Sequence, residues 1–324
     1  MKLLDLKDWK ILEILCTDAR TSHASIAKTV GLSKNSVTYR VERLVKKGVI
    51  QGFFTIIDEG LLGSTTYNFL LRLKGSKERE PQFLEFLKKH PNTLVVDRLL
   101  GEWDWIIELA CLHPLDFNLF LRGLQENFSD IIDNFEVHPV LTSYKVEQLP
   151  VELVKERPVA QFPQASKSIK LDDFERKLLF ELGRNASAPL VVLAHKLGVT
   201  YETIAARIKQ LKLSGVIVSF TAKISLYHLG YEVYLIRLDL KNMSTERAAS
   251  FRSHFNAQRN IRYAFISAFA PVIFVYLAVK NADGLNEFLV SVKEKFSDIV
   301  MNQSFFLCTE LVKYDLFPEC FLKE

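Results

Sequence analysis

Apolar residues recur along the chain with two periods, near 3.6 and near 2, and the order in which these periods alternate is itself repeated. From Leu4 to about Asp18 the residues Leu6, Trp9, Ile11, Leu12 and Leu15 mark a helix. Ser22 and Ser33 are short polar residues of the kind that accept from a helix's first free amides, and Gly31 between them can take the positive φ of a tight turn. In the helix begun at Ser33, Val37, Val41, Leu44 and Val45 form one apolar stripe. The layout is helix-turn-helix. Gly48-Val49-Ile50 then leads into Phe53, Phe54, Ile56 and Ile57, which read as a short β wing.

Strand composition follows at Thr65 to Leu73, a helical run at Pro81 to Lys89, strands at Thr93 to Leu100 and Trp105 to Leu112, a helix at Leu115 to Glu126 and a strand at Val137 to Val146. In a ferredoxin-like βαββαβ sheet of this order the helices cover one face, and the other stays partly apolar until it meets a partner. From Glu147 to Lys170 periodicity fails, and Pro150, Pro158 and Pro163 among charged residues suggest a stiff linker. Then the pattern restarts. Leu171 echoes Leu4, Ala194 echoes Ala27, Gly198 echoes Gly31, Arg207 echoes Arg40, and Gly215-Val216-Ile217 echoes Gly48-Val49-Ile50, always 167 residues on. Gly230 and Tyr234 answer Gly63 and Tyr67, and Phe296-Ser297-Asp298-Ile299 repeats Phe128-Ser129-Asp130-Ile131 one residue further out. An interval this steady is a duplication. The expected architecture is α+β: winged helix 1–60, βαββαβ domain 61–147, linker 148–170, winged helix 171–226 and βαββαβ domain 227–324.

Composition narrows the function classes. The chain has 324 residues, 48% of them apolar, which excludes a largely disordered protein. Net charge is only +4, from 42 basic and 38 acidic residues, so affinity for a polyanion must come from clustering. Lys2, Asp5, Lys7, Asp8 and Lys10 interrupt any signal-like apolar run near the start, and a cytoplasmic protein is expected. Ala264 to Val279 carries no charge, but Pro271 and its β-branched and aromatic content favour two buried strands over a membrane span. Cys16, Cys111, Cys308 and Cys320 form no Cys-x-x-Cys pair and read as buried free thiols; Cys111 and His113 lack partners at metal-ligand spacing, so no metal or other cofactor is expected.

Clustering is found on the second helix of the first copy. Opposite its apolar stripe stand Asn35, Ser36, Tyr39, Arg40, Arg43 and Lys47, with Ser33, Lys34 and Thr38 at the leading end. These residue types can hold phosphates and read base edges in a major groove, so double-stranded DNA is the expected partner. In the second copy the positions of Asn35, Ser36, Tyr39, Arg40, Arg43 and Lys47 hold Glu202, Thr203, Ala206, Arg207, Gln210 and Ser214. Three basic residues fall to one, leaving Thr203, Arg207 and Gln210 as candidate contacts.

Asp18-Ala19-Arg20, Val30-Gly31-Leu32-Ser33, Arg40-Val41-Glu42-Arg43-Leu44, Gly48-Val49-Ile50 and Gly101-Glu102-Trp103-Asp104 together resemble the Lrp/AsnC feast/famine transcription regulators, in two copies over nearly the whole chain. The resemblance implies a DNA-binding winged helix joined to a ligand-responsive βαββαβ domain whose sheets pair into dimers and larger homo-oligomers. It also implies a small effector, often an amino acid, near Gly101, Glu102, Trp103 and Asp104. Asp104 could pair with an ammonium group, while a polar hairpin turn with Trp103 packing inward is the alternative. In the second copy Ser267-Ala268-Phe269-Ala270 replaces that turn and offers no carboxylate.

Two other classes remain open. Siroheme decarboxylases share the two-part architecture and would need cations converging on propionates; His90, Arg98, His113, His138, His254, Arg259 and Arg262 are candidates. Alternatively the chain is an assembly module, its second winged helix a spacer or protein contact.

Overall fold

A computed structural model of the chain describes residues 4–75, 78–146, 168–241, 244–258, 260–268 and 271–322. The first copy runs α1 (Leu6–Thr17), α2 (His23–Val30), α3 (Lys34–Lys46), β1 (Ile50–Ile57), a 3₁₀ turn (Glu59–Leu62), β2 (Thr65–Leu73), α4 (Glu80–Lys89), β3 (Thr93–Leu100), β4 (Trp105–Cys111), α5 (Pro114–Phe128) and β5 (Ile132–Val146). The second repeats it as α6 (Asp173–Arg184), α7 (Leu190–Leu197), α8 (Tyr201–Leu213), β6 (Ile217–Ile224), a 3₁₀ turn (Tyr227–Leu229), β7 (Glu232–Leu240), α9 (Thr245–Ala257), β8 (Ile261–Ser267), β9 (Val272–Val279), α10 (Ala282–Phe296) and β10 (Val300–Tyr314). The linker expected over 148–170 lies mostly outside the described residues.

Local chemistry explains the helix ends. Asp5 caps α1 in a reciprocal box, its Oδ1 accepting from Asp8 N at 2.8 Å while Asp5 N donates to Asp8 Oδ2 at 3.1 Å. Asp172 and Glu175 do the same for α6. Ser22 and Ser33 cap α2 and α3 as expected, and Gly31, at φ 64°, closes α2.

The sheets of the two copies have the order β3-β4-β2-β5 and β8-β9-β7-β10, and they join edge to edge through β10–β3 and β5–β8 into one closed eight-stranded barrel. Outside, α4 and α5 set Phe83, Leu87, Phe120 and Leu124 against Phe69, Leu71, Val96 and Trp105. Inside, Leu70, Leu99, Trp103 and Ile106 of the first copy meet Leu235, Phe265, Phe274 and Phe306 of the second. The partner expected for each apolar sheet face is thus the other half of the same chain, and closure also removes the sheet edges.

The wings pair as well. β1 and β6 form an antiparallel ribbon from Ile50–Ile224 to Ile57–Ile217. Each winged helix borrows from the other across it. Thr221 Oγ1 donates to Cys16 O at 2.9 Å and Thr55 Oγ1 donates to Leu182 O at 2.8 Å, while Arg20 reaches Ala186 O and Ala188 O. Ala222 and Ile224 complete the first winged-helix core, and Ile57 and Ala19 join the second.

Ala264 to Val279 is the β8–β9 pair. Among the described residues no helix is long and apolar enough to cross a membrane. The four cysteines form no disulfide, with Cys16, Cys111 and Cys320 buried and Cys308 half-buried.

Candidate nucleic-acid interface

The first recognition helix, α3, presents Lys34, Asn35, Tyr39, Lys46 and Lys47 to solvent, and Asn35, Ser36 and Tyr39 line a shallow depression with Leu32. Lys46 belongs to this exposed cationic edge although its place beside Val45 and Lys47 did not single it out.

Five of the expected contacts are used inside the domain. Ser33 Oγ accepts from Ser36 N at 3.2 Å, and the two hydroxyls lie 2.9 Å apart. Thr38 Oγ1 faces α2, 2.8 Å from His23 Nδ1, and donates to Lys34 O. Arg40 and Arg43 do not stand free on the outer face as the periodicity suggested. Arg40 Nη1 donates to Asp5 Oδ2 and to Asp8 Oδ1, each at 2.7 Å, and Arg43 Nη2 donates to Asp8 Oδ2 at 2.6 Å. Asp8 is buried, so helix α1 holds both guanidinium groups against the body of the domain. Arg40 in turn holds the Asp5 carboxyl below the usual carboxylate range.

The second copy repeats the clasp, Arg207 pairing with Asp172 and Glu175, each at 3.3 Å. Thr203 N donates to the Thr200 cap, and Gln210 is exposed. Where the first copy has Lys34 and Lys46 the second exposes Tyr201 and Leu213, the latter 78% exposed, with Val191 and Val192 exposed on α7.

At the turn after β3, Trp103 is 1% exposed inside the barrel and Asp104 Oδ2 accepts from Leu73 N at 2.7 Å. Gly101, at φ 149°, leaves no room for a β-carbon, which would lie 2.9 Å from Phe306 Cδ1. Gly101 and Glu102 are exposed. Within the turn expected to hold an effector, Asp104 is bonded to the backbone and the Trp103 ring is packed inside with its Nε1 buried and unpartnered, while Glu102 keeps an exposed carboxylate.

The chain's N-terminal residues 4–51 match the winged helix-turn-helix DNA-binding family model, and residues 171–212 match the AsnC-type helix-turn-helix domain. The regulatory protein AsnC of Haemophilus influenzae is 41% identical over 144 residues, which are 82% of that protein and 44% of this chain. An uncharacterized HTH-type transcriptional regulator of Pyrococcus horikoshii is 31% identical over 143 residues, 94% of its length and again 44% of this one. The chain belongs to the Lrp/AsnC family of transcription regulators. That each relative is almost spanned by under half of this AsnC-type chain agrees with the internal repeat. The siroheme decarboxylase NirDL, solved with an iron-uroporphyrin III analogue, superposes over 98% of this chain and 96% of its own with a TM-score of 0.65 at 14% identity. That likeness shows a common fold alone.

The candidate cations named from the sequence do not converge on one place. Of the seven candidate cations only Arg262 lines the half-open cavity of about 680 Å³ between the wing ribbon and the barrel, and Arg259 lies outside the described residues. His90 packs between Phe86 and Phe120, where burial pushes it down to about 4. Arg98 is paired with Glu80 and Glu310, His113 starts α5, His138 bridges Glu136 and Ser267, and His254 lies beside Phe296 and Lys295. The cavity wall carries Glu59, Asp97 and Glu108 as well as Lys223 beside Arg262.

Proposed function

We propose that this AsnC-type regulator binds double-stranded DNA as a pseudo-dimer made from one chain, with α3 entering a major groove and α8 resting on the neighbouring half-site. The observation that carries the reading is the wing ribbon: β1–β6 pairing and the crossed hydrogen bonds hold two helix-turn-helix units in one frame, as a two-chain dimer would. Lys34, Asn35, Tyr39, Lys46 and Lys47 make the contacts of the first unit, and Gln210 is the exposed candidate left on the second. Arg40 and Arg43 act by holding α3 on α1. Higher assembly uses the exposed Leu115 and Leu119 of α5, because the sheet edges are taken.

Random-site selection on the purified chain, followed by footprinting, tests this. The expected site is a pair of unequal half-sites about one helical turn, or a multiple of it, apart. A protected region confined to a single half-site would refute the pseudo-dimer, and no selected sequence at all would favour the assembly-module reading, to which the apolar Val191, Val192, Tyr201 and Leu213 surface lends support.

A further inference from the structure

The cavity has two unlike walls. From the first copy Glu59 on the 3₁₀ turn, Asp97 on β3 and Glu108 on β4 face it. Glu108 lies opposite Val95 in the β3–β4 pair; at the matching place in the second copy Tyr276 lies opposite Tyr263, and Leu226 stands where Glu59 does. One wall is therefore acidic and the other aromatic, with Tyr314 added from β10.

The charges do not balance. Lys223 on β6 and Arg262 on β8 also face the space, and both act on Asp97. Lys223 Nζ already sits 4.0 Å over the Tyr314 ring. Glu310 at the rim is held by Arg98. Two cations thus stand against three carboxyls, and Asp58 adds a fourth whose Oδ2 is buried without a partner. The side chains of Glu59, Asp97 and Glu108 are half-buried along this space, and Glu59 accepts from its own backbone amide. Beside Glu108, the wholly buried Asn68 leaves both side-chain polar atoms unpaired. Burial, reinforced for Glu108 by Glu59 and Asp97, pushes Glu59 and Asp97 up to about 7 and Glu108 up to about 8. Carboxyls crowded together in poorly solvated surroundings favour a cation placed beside them.

We infer that this cavity is a binding site for an organic cation, a small amine with an apolar or aromatic body. Its ammonium group would lie between Glu59 and Glu108, and its body against Tyr263 and Tyr276, whose ring faces attract cations. A metal ion does not fit, since among the described residues no three His, Cys, Asp or Glu are gathered closely enough to hold one. The volume is that of a ligand pocket, and exposed Gln51, Leu141 and Tyr227 mark where it meets solvent. Because Ile56, Ile57 and Lys223 of the wing ribbon line the same space as the barrel strands, an occupant touches both the DNA-presenting unit and the barrel. That regulatory consequence rests on the DNA-binding reading; the binding itself does not.

Calorimetric titration of the full chain with benzylamine, benzyl alcohol and benzoate separates charge from shape. Benzylamine should bind, the other two at least tenfold more weakly, and near neutral pH binding should release protons, seen as a dependence of the heat on buffer ionisation. Glu108→Gln and, as an independent variant on another element, Glu59→Gln should each weaken benzylamine at least tenfold while leaving the circular dichroism unchanged. Benzoate binding as tightly as the amine, no binding of the amine at all, or equal affinity in a folded variant would overturn the inference. Repeating the DNA titration with benzylamine reads the regulatory consequence separately: a protein that binds the amine but no DNA would keep the site and lose only the regulator reading.

Discussion

Arg40 and Arg207 occupy the same place in the two copies and make the same contacts, each tying a recognition helix to the paired acids that cap the first helix of its domain. A residue retained in both copies, while its neighbours changed from Tyr39 to Ala206 and from Lys47 to Ser214, is thereby accounted for by the fold. Asp8 is the centre of the first clasp, at once a member of the capping box and the partner of two arginines. Asp8→Ala should cost about 1–3 kcal/mol, below the ~3–5 kcal/mol for a fully buried pair because both arginines can reach water, and thermal denaturation will show it. Acidity offers a second check. Glu59, Asp97 and Glu108 hold protons in the folded chain that the unfolded chain has released, so the stability they contribute is complete below the ordinary carboxylate range and is lost as pH rises through about 7 to 8. Lys223, pushed down to about 7 by burial, loses stability as pH falls towards 7 and so acts above that point; His90, pushed down to about 4, opposes the acids below 6.5. The difference between proteins is therefore the measure: Glu59→Gln combined with Glu108→Gln should flatten the fall in melting temperature between about pH 5 and pH 7.

Between elements, the contrast that matters is α3 with α8. Lys34, Lys46 and Lys47 give α3 an exposed cationic edge, and α8 offers Tyr201, Leu213 and Ser214 at the same places. Lys34→Ala and Lys47→Ala should each lower the slope of log affinity against log salt by ~0.9, while Gln210→Ala should leave that slope unchanged and alter only sequence preference. Most of these elements were legible in the sequence because their signals are local: period, cap and glycine brought the strand over Thr65–Leu73 and the helices of the first winged domain close to their observed bounds. Direction was harder to read. Helical spacing puts Arg40 and Arg43 off the apolar stripe, but a long side chain can turn back along the surface, and only the repeated Asp5 and Asp172 hinted at where it would go. The acidic wall was equally hidden, although Glu108 is the one charge within Trp105-Ile106-Ile107-Glu108-Leu109-Ala110-Cys111, a signal that alternation alone could have raised. What it faces depends on strands more than a hundred residues away, which no local pattern contains.

At the scale of the molecule the two copies are interlocked three times over, at the wing ribbon and at both barrel seams. Residues 1–147 and 168–324, produced together as separate chains, should therefore copurify as a one-to-one complex, and either alone should aggregate or self-associate, because each leaves half a barrel and an unpaired wing; size-exclusion chromatography with light scattering will distinguish these outcomes.

A regulator assembled from identical subunits must repeat every side chain across its twofold axis, so a carboxylate on one side of a central chamber is matched by another facing it. Joining the halves covalently lifts that constraint. Glu59 can look across at the wall where its counterpart has become Leu226, and Glu108 at the one where its counterpart has become Tyr276. The tandem chain thus permits a chamber with a front and a back, able to orient a guest.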